Sequence, residues 1–305
     1  DEAHLQKVFA VNTIGPGVIE AMERAATDVE ERFRGLVIGN DAPQFCAGAN
    51  LLLILNEIDD DNFEDVEWMV GRFQGVNQRM RFLRRPVVVA PHGLTLGGGC
   101  EVTLGGDAVV AALETYIGLV EVGAGVIPAG GGCKELLRRA DEAAPEGADL
   151  FPYVRRVFET LGMAKVATSG LEARELGILR PTDRVTVNRD RLLHDARNLV
   201  VAMDVAGYRP PRERTDIRVV GGPGLAALEG GIGRMRRAGF ISAYDAFIGR
   251  QLAWVLAGGD VSASSRVSES YLLELEKEAF LRLCEQERTQ ARMEHILKTG
   301  KPLRN

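Results

Sequence analysis

Cysteine is scarce in this chain, at four among 305 residues, and none of the four stands in a metal-ligand spacing. Cys46, Cys100, Cys133 and Cys284 therefore predict neither a disulfide framework nor a metal site. Three of them fall close to glycines and read as small packing residues in a reducing compartment. Positive charge is in deficit: 37 Lys and Arg stand against 43 Asp and Glu, a formal net charge of −6. That balance argues against nucleic-acid binding as the main task, because phosphate recognition rests on a basic surface. No uninterrupted apolar run approaches the length of a bilayer span, and the opening residues carry no secretion-signal pattern. Cytoplasm is the expected location. A dinucleotide fingerprint of the strand–GxGxxG–helix kind is also missing, so no nicotinamide chemistry is expected of these residues.

What is present is ordinary for a folded enzyme: 46% hydrophobic and 26% charged residues, in a chain long enough to bury a proper core. Apolar residues at Val18, Ile19, Met22, Ala25, Ala26 and Val29 predict a helix over Val18 to Arg34. A strand-like run follows at Gly35 to Gly39, and then a helix from Asn62 to Leu83 with a stripe of Phe63, Val66, Met69, Val70 and Phe73. A further strand is predicted from Pro86 to Pro91, ending at His92, whose expected partner is backbone. Short strands alternating with helices of this kind argue for an α/β fold. From about Tyr153 helices dominate, and Leu225 to Leu256 reads as one or two amphipathic helices broken near Gly239. The acidic stretch Ala140 to Asp149, with Pro and Gly, is predicted as a surface loop. A second break spans Gly207 to Pro223 and includes the arginine-rich "RPPRERTDIR". It reads as a solvated connector, or as a source of arginines for phosphate groups, a role for which Lys301 and Arg304 also qualify.

The densest signal is Leu96 to Gly132. It holds the glycines Gly97, Gly98 and Gly99, the acids Glu101 and Glu121, and a second cluster at Gly130, Gly131 and Gly132. Without Cβ atoms the first cluster lets backbone amides approach a ligand closely. A short helix predicted over Gly99 to Leu104 would put the Gly98 or Gly99 N–H at a helix N-terminus, where negative charge is favoured. That is half of an oxyanion hole. The other half is expected from "FCAGAN", Phe45 to Asn50, which follows the first strand. Glu101 and Glu121 lie among apolar neighbours, and a carboxyl so placed holds its proton to higher pH, as a general acid requires. The second cluster reads as a structural turn.

The segments "GLVIGNDAPQFCAGANL", "RPVVVAPHGLTLGGGCEV" and "YIGLVEVGAGVIPAGGGCKELL" resemble, in order and spacing, the successive motifs of the crotonase (enoyl-CoA hydratase/isomerase) superfamily. The resemblance is dense from Gly35 to Arg139 and thinner over Phe158 to Asp190. It implies a crotonase-like ββα superhelix with a helical C-terminal region. It also implies an oxyanion hole formed by the backbone N–H groups of Ala49 and Gly98, catalytic roles for Glu101 and Glu121, and substrate contacts at Ala47, Asn50, Leu51 and Gly97. Asn50 stands where relatives usually carry Asp, Val120 where Pro is frequent and His92 where many carry Asn.

With both acids present, the resemblance implies an enoyl-CoA hydratase. The alternatives are a Δ3,Δ2-enoyl-CoA isomerase, which needs one acid/base group, and a non-catalytic acyl-CoA-binding or assembly module. The implied partner is an acyl-CoA thioester, with coenzyme A as part of the substrate and no separate cofactor or metal. A homo-oligomer, trimer or hexamer, is implied as well.

"VFAVNTIGPGVIEAM" resembles the end of the family's first strand and its first helix, so the opening hairpin is expected to be shortened and the chain to be a fragment. The ending "HILKTGKPLRN" and Tyr208 to Asp260 resemble bacterial 3-hydroxyacyl-CoA dehydrogenase proteins that carry a crotonase module after an NAD-binding part. Contact with such an N-terminal domain is the corresponding expectation. The expected division is a crotonase core over 1–190 and a helical C-terminal region over 191–305.

Overall fold

Strand alternation explains the central sheet. A computed structural model of the chain describes residues 12–263 and 265–305. The part of the opening resemblance before Asn12 lies outside the described residues. In chain order the elements begin with β1 (Thr13–Ile14), α1 (Pro16–Arg32), β2 (Leu36–Ile38), β3 (Gly48–Ala49), α2 (Leu51–Asp59) and α3 (Phe63–Arg81). Next come β4 (Val87–Val89), β5 (Gly93–Leu96), α4 (Gly98–Gly105), β6 (Ala108–Ala112) and β7 (Thr115–Gly118). A 3-10 turn at Glu121–Ala124 leads to α5 (Gly132–Ala143), α6 (Phe151–Gly162), α7 (Gly170–Glu175), β8 (Arg184–Thr186) and α8 (Leu192–Val205). The rest is β9 (Ile217–Arg218), α9 (Gly221–Arg237), α10 (Ala243–Ala257), β10 (Arg266–Val267), α11 (Glu269–Cys284) and α12 (Glu287–Thr299).

The described chain divides into two compact units, neither continuous in sequence: residues 12–50, 72–119 and 166–212 form one, and 51–71, 120–165 and 213–305 the other. In the first, β2, β4, β6 and β8 make a parallel sheet in that order, with Leu36 opposite Val87 and Val88 opposite Ala108. Successive side chains of a strand point to opposite faces. Val87 and Val89 therefore pack with Met22, Ala25, Ala26 and Val29 of α1, while Val88 packs with Leu192, Ala196 and Val200 of α8. Both faces are buried, which is why β4 reads as an unbroken valine run. Complete burial of such a side chain stabilises by about 1.5–3 kcal/mol. The remaining strands of this unit pair separately: β5 runs parallel to β7, and β1 parallel to β3.

The second unit is mostly helical. Leu228 and Ile232 of α9 pack on Ala246 and Ala253 of α10, with Phe151 and Phe158 of α6 against them. The predicted break near Gly239 is present: α9 ends at Arg237, Gly239 has φ +75°, and Ser242 caps α10 through a capping box with Asp245. The predicted loop over Ala140 to Asp149 needs correction, because α5 continues to Ala143. Asp141 in its last turn is 4% exposed and accepts bonds from Arg214 (2.9 Å) and Arg218 (2.5 Å). A carboxylate at that depth is stable only when paired, and its partners lie more than seventy residues downstream. Two arginines of the "RPPRERTDIR" connector are thus committed to an internal ion pair.

Candidate active site

Helix α4 is predicted two residues shorter than it is, and its start is made by glycine for three separate reasons. Gly97, the N-cap, has φ +52° and ψ −124°, a conformation closed to residues with a Cβ. Its N–H donates to the Gly118 carbonyl at 2.9 Å and its own carbonyl accepts from the Glu101 N–H at 3.0 Å. A Cβ on Gly98 would lie 3.0 Å from Cδ1 of Ile14. One on Gly99 would lie 2.5 Å from Cβ of Cys46, an overlap no packing tolerates. The three glycines let the helix start press against the loop from Phe45 to Asn50.

That loop is held from both sides. Cys46 and β5 exchange backbone bonds: the Cys46 N–H donates to Leu94 and the Leu96 N–H to Cys46, both at 2.9 Å. On its other edge, the Ala47 N–H donates to Asn12 (2.8 Å) and the Asn50 N–H to Ile14 (3.0 Å). The Asn40 and Asn12 side-chain amides both donate to the Phe45 carbonyl. Gly48 has φ +107°, and a Cβ on it would stand 3.4 Å from the Leu96 carbonyl oxygen and 3.9 Å from the Gly98 nitrogen. The two stretches expected to supply amides, Gly48–Ala49 and Gly97–Gly98, are therefore neighbours. Ala49 is exposed and Gly98 buried. Among the described residues no side chain is bonded to the Gly98 amide, which opens α4 where the helix dipole favours an anion.

Glu101 lies in the first turn of α4, 6% exposed, between Cys100 at 0% and Val102 at 7%. Ala47 and Asn50 are half-buried in the same unit. Cys46 is buried, and burial pushes its thiol up to about 11, so it is a packing thiol rather than a nucleophile. The other three cysteines are buried and form no disulfide. His92 behaves as predicted for a strand-end histidine: Nε2–H donates to the Ala42 carbonyl at 2.8 Å. Nδ1 is buried with no partner among the described residues. Burial first, and the Arg189 charge second, lower its pKa to about 4.

Glu121 and Leu51 belong to the second unit. Leu51 opens α2, and Glu121 opens the 3-10 turn, three residues along the chain from Gly118. Glu121 is half-buried. Its turn is closed by Gly125, left-handed at φ +90°, and by the Val126 N–H donating to the Glu121 carbonyl at 3.2 Å. Sequence reasoning missed two features here. The second glycine cluster opens α5, but Glu276 of α11 fills that helix start, accepting from the Gly131 N–H at 2.9 Å and the Lys134 N–H at 2.5 Å. Thr289 and Arg292 of α12 reach the turn that carries Glu121. The available signal was Gly125, a glycine too close to another chain segment to be anything else.

Known proteins resemble this chain in sequence and in fold. A family model described as enoyl-CoA hydratase/isomerase matches residues 3–151. The whole chain is 46% identical, over 309 aligned residues, to a probable 3-hydroxyacyl-CoA dehydrogenase of Bacillus subtilis strain 168, of which it spans 38%. Over 137 residues, 44% of this chain, it is 31% identical to human mitochondrial methylglutaconyl-CoA hydratase, of which that stretch covers 39%. The matched stretches thus span about two fifths of the length of each of these relatives. A solved enoyl-CoA hydratase from Rhodobacter sphaeroides 2.4.1 superposes with a TM-score of 0.67 over 99% of this chain and 88% of its own, at 17% identity, which speaks for the fold alone. The segment that bears the glycine triplet and both glutamates, within residues 3–151, is similar to the enoyl-CoA hydratase/isomerase family, and the α/β architecture of the chain is the crotonase fold.

Proposed function

We propose that this chain is an enoyl-CoA hydratase, adding water across the double bond of a trans-2-enoyl-CoA to give a 3-hydroxyacyl-CoA. The observation that carries the reading is the junction of the Gly98 amide at the start of α4 with the neighbouring Gly48–Ala49 strand, and a buried Glu101 one turn into the same helix. Chemistry assigns the parts. Attack of water oxygen at C3 drives the double-bond electrons toward the thioester carbonyl, whose oxygen becomes an enolate. Amides of Gly98 and Ala49 stabilise that oxygen, and one such donor is worth about 10² to 10³ in rate. Glu101 takes the proton that the water loses, and Glu121 delivers a proton to C2 as the enolate collapses. Ala47, Asn50, Leu51 and Gly97 would border the substrate.

No cofactor enters this scheme, since coenzyme A belongs to the substrate. Its product is the kind of molecule named in the Bacillus relative's description, so hydration here followed by oxidation in a dehydrogenase would form consecutive steps. The test mixes the chain with crotonyl-CoA and follows the absorbance of the conjugated thioester. Steady loss of that absorbance, reduced at least about 10²-fold in Glu101→Gln, is expected. No turnover at any acyl length despite binding of the ester would make the chain a binding module. Full activity in Glu101→Gln would remove the proposed mechanism.

A further inference from the structure

The turn that carries Glu121 is fastened by a helix far away in sequence. Thr289 of α12, fully buried, donates its hydroxyl to the Gly125 carbonyl at 2.7 Å. Its Oγ1 lies 2.6 Å from the Tyr244 hydroxyl, and because the Thr289 proton is engaged with Gly125, Tyr244 is the donor in that pair. Arg292, one turn further along α12 and 2% exposed, points one guanidinium nitrogen at the Val122 carbonyl (3.4 Å). Its other nitrogens donate to Asp245 at 2.7 Å and to the Asn305 side-chain oxygen at 2.8 Å. The guanidinium also lies 5.2 Å from the centre of the Tyr244 ring. Gly125 fits only because it is glycine: a Cβ there would meet Thr289 Oγ1 at 2.9 Å and Thr289 Cα at 3.0 Å.

We infer that Thr289 and Arg292 are positioning residues for Glu121: α12 clamps the carbonyls of Val122 and Gly125 and thereby fixes the direction of the Glu121 side chain. This rests on the hydratase reading above. The physical argument is that a 3-10 turn four residues long has little to hold it on its own. Here one of its carbonyl oxygens, that of Val122, and that of its capping residue, Gly125, take donors from one rigid helix, and the arginine is itself locked by Asp245 and Asn305. A proton donor displaced by about 1 Å loses on the order of 10²-fold in rate, so a clamp several bonds from the reacting atoms still controls the chemistry. Helix α12 thus acts on the proposed chemistry through Glu121, by way of the Val122 and Gly125 carbonyls.

The test compares Thr289→Val, which keeps the shape and loses the hydroxyl, with Thr289→Ser, which keeps the hydroxyl, using the full chain and crotonyl-CoA. Thr289→Val is expected to lower kcat at least tenfold with KM within twofold, and to shift the limb of the kcat pH profile that reports the proton donor. Thr289→Ser should restore kcat to within about twofold. Tyr244→Phe, which removes only the donor to Thr289, guards against a misfolded Thr289→Val and should lower kcat about threefold at unchanged KM. Unchanged kcat and pH profile in folded Thr289→Val, or in Tyr244→Phe should Thr289→Val fail to fold, overturns the clamp. A wild-type chain with no enoyl-CoA turnover overturns instead the reading on which the clamp rests.

Discussion

Two helix starts, α4 and α5, carry the same sequence signal and are used in opposite ways. Each follows a glycine cluster, Gly97–Gly99 in the first unit and Gly130–Gly132 in the second, and each has a positive-φ glycine as its N-cap. At α5 the anion-attracting end is filled from within, since the Glu276 carboxylate accepts from Gly131 and Lys134. Around it stands a buried charged network, with Lys134 donating to Glu269 at 3.0 Å and Arg138 to Glu135 at 2.8 Å. At α4 no carboxylate is bonded to the Gly98 amide among the described residues, and the strand leading into it begins beside a neutral histidine. The lesson is that a glycine-opened helix is only half a statement about anion binding. What occupies the amides in the folded chain decides whether the end is closed from within or left open to a ligand.

The largest expected effect separates the two ends. Gly98→Pro removes the amide proton at a first helical position, where proline is compatible with the helix, but its Cβ would also press on Ile14 Cδ1 at 3.0 Å, so Gly98→Ala, with the same Cβ and the amide kept, is its control. Hydratase activity should fall by about 10² to 10³ while circular dichroism stays native. A folded variant with wild-type turnover would end the oxyanion role of Gly98. At the other end the consequence should be thermodynamic. Glu276→Ala strands one buried donor, the Lys134 N–H, worth about 1–3 kcal/mol, and one half-buried donor, the Gly131 N–H, so urea should unfold the variant earlier. Below its transition kcat should stay within about threefold; a large kcat loss with unchanged stability would invert the comparison.

A smaller effect concerns pH. His92 in the fold titrates near 4, against 6.5 unperturbed, so its neutral form is favoured by folding. A depressed histidine contributes stability that is present above 6.5 and lost as pH falls toward 4. Titration followed by NMR should place the imidazole near 4, and His92→Asn should flatten the stability curve between those values. An imidazole titrating at 6.5 would show that the approach to α4 is wetter than the structure implies.

Most of the fold was legible because local patterns carried it. The α1 stripe of Ile19, Met22, Ala25, Ala26 and Val29 is buried as its spacing predicts, and the valine run of β4 is central in its sheet. The neighbourhood of Gly98 with Gly48–Ala49 was legible for a different reason, as small residues mark places where backbones must approach. What stayed hidden depends on partners distant in sequence. Asp141 looked like part of an acidic loop because Arg214 and Arg218, which neutralise it, lie in another segment. Glu276 and Thr289 carried no motif at all, since a single side chain meeting a backbone group more than a hundred residues away leaves no periodicity to read.

The most direct measurement is hydration of crotonyl-CoA by this chain in water enriched in heavy oxygen, followed by mass spectrometry of the product. The account predicts a 3-hydroxyacyl-CoA carrying one heavy oxygen on C3, formed by wild type and reduced at least about 10²-fold in Glu101→Gln. Turnover of a 3-enoyl-CoA to its conjugated isomer without incorporation of label, or no label in any product at all, would contradict it.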